Sequence, residues 1–311
     1  MKLKILASTA LADSTRLIQK AAQSLGIAFE VLLLDQIQMS PAGILHQNVQ
    51  VLADAKTLIW PRLGTLSRER GLEVCRQFEA QSFRLLNSSQ AMELSSDKIM
   101  SLKALGAAGV PVPKTWFFSP EDRLKLADLD TSSETEKIKF WIKTQIGSQG
   151  IGVSWAYDAI QALAQMDLVR VSHGAGLIQA HVQGEDLRVL VDSGRVLGAM
   201  RRQATGADPR ANLHQGAVAV RTNLTLQETQ ISLKSVEILG LTNAGVDLIR
   251  SSSGTVVIEV NPSPGLVGLS KCMSVNLSLD VLSWHLAHSK KAVTTRTSLA
   301  KDPARKSPGN T

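Results

Sequence analysis

Gly245-Val-Asp247-Leu-Ile-Arg-Ser-Ser-Ser-Gly254-Thr-Val-Val-Ile-Glu259-Val-Asn261-Pro-Ser-Pro-Gly265 is the stretch on which the reading of this chain turns. Two apolar runs, Gly245–Ile249 and Thr255–Val260, flank a Ser-Ser-Ser-Gly turn, so the stretch reads as a β-hairpin. Asp247 lies on the first strand. Glu259 and Asn261 lie two apart on the second and therefore share a face. Carboxylates in otherwise apolar strands are costly unless something pairs with them. A cation meets that cost, and a set of hard oxygen ligands suits Mg²⁺. Acids on the solvent face of a plain hairpin are the alternative.

Upstream lie two further signals. Lys143-Thr-Gln-Ile-Gly147-Ser148-Gln149-Gly150-Ile151-Gly152-Val153 places a lysine at a strand end before a glycine-rich loop. Glycines let backbone N–H groups turn towards a phosphate, and a lysine adds a point charge. No Gly-Lys-Ser/Thr follows, and the loop leads into a strand rather than a helix, so it is neither a Walker nor a Rossmann loop. Taken alone, a phosphate cradle and a plain glycine hairpin both fit it. Between the loop and the hairpin, Asp186 and Arg188 alternate on one strand face and Arg201-Arg202 end the next strand. Arg210-Ala211-Asn212-Leu213-His214 follow in a loop. Guanidiniums near a phosphate loop suit anionic substrates held by paired hydrogen bonds, with ordinary surface arginines as the alternative.

The rest of the chain is an α/β protein. Short apolar runs at Lys4–Ser8, Phe29–Leu34, Thr57–Trp60 and Phe83–Leu86 alternate with helical stretches, which implies a parallel sheet. Asp13 or Ser14 is placed to cap the first helix. Ser88–Gly109 reads as one helix, stopped by Val-Pro-Val-Pro, and Val275–Ala287 as the last. Across 311 residues, 44% are hydrophobic and 20% charged, enough apolar material to exclude disorder. No apolar run is long enough for a membrane helix, and the N-terminus lacks a secretory apolar region. Cys75 and Cys272 are too far apart for a paired zinc motif and read as reduced thiols in a cytoplasmic protein. The formal charge is +7, but residues 290–311 hold Lys290, Lys291, Arg296, Lys301, Arg305 and Lys306 against only Asp302. The body is thus near neutral, the tail reads as disordered, and nucleic acid is not expected as a partner. Aromatic residues at 4% also argue against a base-stacking surface.

Taken together, Pro61-Arg62-Leu63-Gly64, Asn87-Ser88, Asp97-Lys98, Pro111-Val112-Pro113, Gly147–Gly152, Asp186-Leu-Arg188, Arg202, Arg210–His214, Gly245-Val246-Asp247 and Glu259–Gly265 resemble, in this order, the ATP-grasp ligases. They are most similar to the RimK branch of α-L-glutamate ligases, over about residues 2–288. The resemblance implies an ATP-grasp fold of the α/β (α+β) class behind an N-terminal parallel α/β pre-ATP-grasp domain. It divides the chain into residues 1–87 (pre-ATP-grasp), 88–176 (central subdomain with glycine-rich lid), 177–289 (C-terminal subdomain with metal site) and 290–311 (basic tail). It implies that Lys98 and Lys143 reach the ATP phosphates and that Gly147, Ser148, Gln149, Gly150 and Gly152 cover them. It assigns the adenine edge to Gln179, Ala180 and His181, a ribose contact to Asp186, and nucleotide and substrate contacts to Arg210, Ala211 and Asn212. Arg202, Arg210 and Asn212 become the residues at the reacting groups. Asp247, Glu259 and Asn261 become ligands for Mg²⁺, with Mn²⁺ as a substitute and two ions in the site.

The linker Gln179-Ala180-His181-Val182 departs from the family's Gln-Glu-Phe/Tyr-Ile. The implied activity is ATP-dependent amide formation through an acyl phosphate. The substrates are glutamate or another amino acid with an amine or carboxylate acceptor, a protein tail or small molecule, and a homo-oligomer is expected. A ligase for a different amino acid or acceptor, and a nucleotide-binding module without activity, are the competing readings.

Overall fold

The structure, a computed structural model, describes residues 1–54, 56–129, 139–147, 150–203 and 218–299. The first sheet is parallel throughout, in the order Ala28–Leu33, Lys2–Ala7, Thr57–Arg62, Arg84–Leu85. This is the layer predicted from the alternating runs. A small antiparallel sheet of Ile37–Ser40, Gly43–His46 and Val49–Gln50 follows the second strand. Its strands are too short to show a period in sequence. Neither Asp13 nor Ser14 caps the first helix, Asp13–Ser24, whose N-cap position is Ala12 without a side-chain bond. The Ser14 hydroxyl instead accepts from the Leu266 backbone N–H at 3.1 Å, which ties this helix to the far end of the chain.

The central sheet runs Val153–Ala156, Phe140–Thr144, Gly176–Ala180, Thr115–Phe118, all antiparallel. Helix Ala159–His173 covers one face through Phe140, Ile142, Ala162, Met166 and Ile178. Because Gly176–Ala180 pairs with both neighbours, this sheet extends past the boundary read at residue 176. The C-terminal sheet has five strands, in the order Val218–Arg221, Arg195–Gln203, Glu185–Asp192, Asn243–Ser251, Gly254–Asn261.

Leu187, Val189, Val191, Ala244, Val246, Leu248, Val257 and Val260 point to one face of the C-terminal sheet. There they pack on helices Ser89–Ser96, Lys98–Ala107 and Leu226–Ile238 through Ala91, Leu105, Ile231 and Val236. Each buried aliphatic side chain contributes about 1.5–3 kcal/mol. Period two then sends Asp186, Arg188, Arg202 and Asp247 to the opposite face. Among the described residues that face packs at one end, where Leu190, Met200, Leu266 and Leu269 join Leu3, Ile5, Ile18 and Trp60 of the N-terminal layer. The other end carries the charged cluster.

Two helices differ from the sequence reading. Ser88–Gly109 is broken at Asp97, whose carboxylate accepts from Ile99 and Met100 N–H at 2.9 and 3.0 Å and starts a new helix. A good N-cap residue thus ends one helix and begins the next. The last helix spans Leu277–Leu299 rather than ending at Ala287, so residues 290–299 are helical and not part of a structureless tail. Leu277, Val281 and Leu282 anchor its start in the core, and Ala and Lys continue it cheaply with no Gly or Pro before Pro303. Residues 300–311 lie outside the described residues. No helix among the described residues is long and apolar enough to cross a membrane.

Candidate active site

The acid hairpin forms as its sequence predicts, and its register places Asp247 opposite Glu259 and Gly245 opposite Asn261. One feature of it was not legible. The register shifts between Asp247 and Leu248, so that Leu248 pairs with Val257 and Ile258 is an extra residue. Val257 and Val260 both enter the core despite being three apart. Without this bulge, strict alternation would send Glu259 to the core side with Val257. The bulge turns Glu259 and Asn261 onto the face that carries Asp247. Asn87 fixes the root of the hairpin. Its side-chain amide donates to Asn243 O and Pro262 O at 2.7 and 2.9 Å, and its oxygen accepts from Thr242 and Asn243 N–H at 2.8 and 3.0 Å.

On the neighbouring strands the arginines meet the acids. Asp186 pairs in register with Arg202, and Arg188 with Asp247. Arg188 grips Asp247 with two donors, Nε to Oδ1 and Nη2 to Oδ2, the latter at 2.7 Å. Arg202 donates to Asp186 Oδ1 from Nε at 2.9 Å and Nη2 at 2.6 Å, and Nη2 also lies 3.3 Å from Asp247 Oδ1. Burial works to raise the Asp247 carboxyl, but Arg188 and Arg202 outweigh it and hold it below the usual range. Asp186 is pushed up to about 6 by burial, against the pull of Arg202 and with the Asp247 charge adding to the rise. Gly245 makes room for this pairing: a Cβ there would lie 2.8 Å from Pro264 Cβ and 3.2 Å from Arg188 Nη1.

Facing this sheet across the cleft are two buried lysines. Lys98 is 7% exposed and Lys143 8% exposed, yet among the described residues neither is hydrogen-bonded to a carboxylate. Lys98 Nζ donates to Gly147 O and Lys143 Nζ to Gln179 Oε1, both at 2.7 Å. Burial pushes Lys143 down to about 8, with Glu259, Asp247 and Asp186 pulling back and Lys98 adding to the fall. Those influences place the lysine before all three acids. Lys98 is the first residue of the helix capped by Asp97, and Gln145 links this cap to the lid by donating to Asp97 Oδ2 at 2.6 Å. Lys143 pairs with Val153 across the lid hairpin, and Thr144 N–H bonds Gly152 O at 2.9 Å. A Cβ at Gly147 would sit 2.7 Å from Ile151 O, so the loop closes only around a glycine.

The structure therefore brings Lys98, Lys143, Gly147, Gln179, Asp186, Arg202, Asp247, Glu259 and Asn261 to one cleft. Ala180 and His181 continue from Gln179 along its edge. Their N–H groups are spent on Lys114 O and Lys139 O at 2.8 and 2.9 Å, so an adenine edge would have to use other groups of the linker. His181 Nδ1 accepts from Trp141 Nε1 at 2.9 Å. Ser148, Gln149, Arg210, Ala211, Asn212, Leu213 and His214 lie outside the described residues. Gly150 and Gly152 follow in the lid with positive φ, 79° and 73°. Sequence reading missed the role of Gln179 as the lysine's acceptor and of Gln145 as the tie between cap and lid. Neither residue type advertises such a role by itself. Asp186, expected at a ribose, and Arg202, expected at the reacting groups, hydrogen-bond to each other.

The residues fit a hard divalent cation in part. Glu259 offers oxygens on the site face, Asn261 Oδ1 already accepts from Ser263 N–H at 2.8 Å, and both Asp247 oxygens are held by guanidinium groups. Among the described residues no three His, Cys, Asp or Glu side chains gather as a metal nest. A cation here would rest on few protein ligands together with a nucleotide's phosphates, as suits Mg²⁺.

The class is the ATP-grasp proteins, whose RimK-like domain model this chain matches. Solved ATP-grasp structures share the fold. The ligase PsnB bound to its minimal precursor matches with a TM-score of 0.70 at 18% identity, over 92% of this chain and 99% of that one. The RimK domain protein of Sphaerobacter thermophilus matches at 0.67 and 17%, over 90% and 98%. In sequence, residues 1–92 match the RimK PreATP-grasp domain and residues 95–285 the RimK-like ATP-grasp domain. The chain belongs to the RimK family. It is 36% identical to a probable alpha-L-glutamate ligase of Halorhodospira halophila, over 86% of this chain and 89% of that one. It is 32% identical to the ribosomal protein bS6--L-glutamate ligase of Escherichia coli O7:K1, over 93% and 96%.

Proposed function

We propose that this chain is an ATP-dependent carboxylate–amine ligase that adds glutamate to a protein tail or small acidic acceptor. The observation that carries this reading is the pair of buried lysines, bonded among the described residues only to neutral oxygens, with Glu259 and Asp247 near enough to Lys143 to act on its charge. A triphosphate is the charge complement of the lysines, and the acids opposite suit the cation that travels with it. The two named relatives, both glutamate ligases, support glutamate as the amino acid, and the bS6 enzyme supports a protein tail as acceptor.

A free carboxylate is a poor electrophile. Transfer of the γ-phosphoryl group to it gives an acyl phosphate and ADP. The amine of the second substrate then attacks the acyl carbon, loses a proton, and expels inorganic phosphate as the amide forms. The protein's part is positioning and charge neutralisation. Lys98 and Lys143 hold the phosphates, with Gly147, Ser148, Gln149, Gly150 and Gly152 as the lid and Gln179, Ala180 and His181 beside the base. Arg202 fixes Asp186 and Asp247, and Arg210, Ala211 and Asn212 contact nucleotide and substrate. Glu259, Asn261 and, once released by Arg188, Asp247 would hold Mg²⁺, which supplies further neutralisation of the phosphoryl oxygens. The test is ADP release with glutamate, with and without acidic acceptor peptides, read together with the acceptor's mass. Glutamate-dependent ADP release with a matching mass gain supports the reading; ADP release with no mass gain on any acceptor refutes it.

A further inference from the structure

Arg62 is the motif residue that the proposed chemistry leaves without a task. It ends the strand Thr57–Arg62, in register with Ala7 at the carboxyl end of the neighbouring parallel strand. Ligands of open α/β sheets bind outside such strand ends. The loops that follow the two strands meet there, where Ser8 Oγ donates to Ser67 Oγ at 2.6 Å. The Arg62 guanidinium crosses to the acid hairpin and donates from Nη2 to Pro264 O at 2.7 Å. Its Nε and Nη1 are shut off from solvent with no hydrogen-bond partner among the described residues. The hydroxyl of Ser263, whose carbonyl lies 3.5 Å from Arg62 Nη2, is buried and unpartnered too. A buried cation and a buried hydroxyl beside each other, both short of acceptors, are destabilising unless an anion or its equivalent completes them.

The position along the cleft indicates which anion. By contact, Gln179 bonds Lys143, Glu259 acts on the charge of Lys143, Asn261 follows two residues on, and Arg62 bonds Pro264 three residues further. The phosphates are served by the lysines. Nε and Nη1 lie on different edges of the guanidinium, so one of them together with the Ser263 hydroxyl, rather than a fork, matches the two oxygens of a carboxylate. Resting on the ligase reading above, we infer that Arg62 and Ser263 form the pocket for a carboxylate of the incoming amino acid, one that is not activated. The turn Pro262–Gly265 closes over it through the Arg62–Pro264 bond. In this way the amine would be held beyond the phosphoryl group, and amino acids lacking the second carboxylate or bearing its amide would be rejected.

The experiment compares the full chain with Arg62→Lys and Ser263→Ala in steady-state ADP release, varying glutamate, glutamine and isoglutamine in turn. In Arg62→Lys the KM for glutamate should rise by about tenfold or more while the KM for ATP stays within about twofold. The preference for glutamate over one of its two amides should shrink in both variants. Glutamate and ATP constants that rise together, or an undiminished preference in both variants, would overturn the pocket. Should the unaltered chain release no ADP with glutamate and any acidic acceptor peptide, the ligase reading fails by itself. Arg62 is then read by thermal shift with a non-hydrolysable ATP analogue and the same three amino acids. Stabilisation that needs a carboxylate and is lost in the variants supports the pocket. Stabilisation absent from the unaltered chain, or kept in both variants, overturns it.

Discussion

Two sets of cations line the cleft, and they are held in opposite ways. Arg188 and Arg202 rest on Asp247 and Asp186, charge against charge. Lys98 and Lys143 rest on a carbonyl and an amide oxygen. A cation paired with a carboxylate has a fixed geometry and little net charge to offer. A cation on neutral acceptors keeps its charge for a ligand, at the cost of desolvation. Attraction for a triphosphate therefore belongs to the lysines, and orientation of the acids to the arginines.

The sharpest way to break this division is at Glu259, an acid with no guanidinium partner among the described residues. Glu259→Gln keeps shape and removes charge where the metal is proposed. Turnover should fall by about a hundredfold or more with the fold retained, as measured by ADP release and circular dichroism. Near-normal release at saturating Mg²⁺ would remove Glu259 from the metal site.

Next comes Lys143. Replacement by Ala should raise the KM for ATP and lower kcat together, by about ten- to a hundredfold in kcat/KM. Because burial sets this lysine near 8, kcat/KM for ATP should decline as pH rises through about 8, and Lys143→Ala should lack that limb. Stability has the opposite sign. Below about 8 the folded chain carries the buried charge and is destabilised by it. Above that pH the folded chain releases a proton that the unfolded chain keeps up to about 10.5, so the residue's penalty fades. Lys143→Met should accordingly melt at a higher temperature than the parent at pH 7, by roughly a few degrees, while losing activity.

The arginines sharpen the comparison from the other side. Arg202→Lys keeps charge but cannot hold Asp186 and reach Asp247 with a rigid fork. It should lose about tenfold in kcat/KM, whereas the exposed Arg221→Lys should be near neutral. Equal, mild effects at both would deny Arg202 its orienting role.

The same contrast marks what could be read from sequence. The acid hairpin was legible because polar residues in apolar strands advertise themselves, and its turn and alternation set the pairing. The parallel N-terminal layer was legible from alternation. The Ile258 bulge was not, since an extra residue leaves composition and length unchanged while reversing which face Glu259 takes. Nor was the break at Asp97, because apolar spacing runs on through both helices. Partner choice was the least legible. Asp186 and Arg202 are adjacent only through strand register, and Lys143 meets Gln179 only because two strands of the central sheet pair.

The smallest effect is expected at the chain's end. Among the described side chains of the last helix, 277–288, the buried ones are Leu277, Ser278, Val281, Leu282 and His285. A chain ending at Ser289 should therefore keep ADP release within about twofold and melt cooperatively. Loss of folding would show that residues 290–299 dock on the body.

The most direct measurement follows oxygen atoms. An acidic acceptor peptide labelled with heavy oxygen in its terminal carboxylate, incubated with ATP, Mg²⁺ and glutamate, should pass one labelled oxygen to each inorganic phosphate released, as an acyl phosphate requires. Amide product accompanied by unlabelled phosphate would contradict activation of that carboxylate by ATP in this cleft.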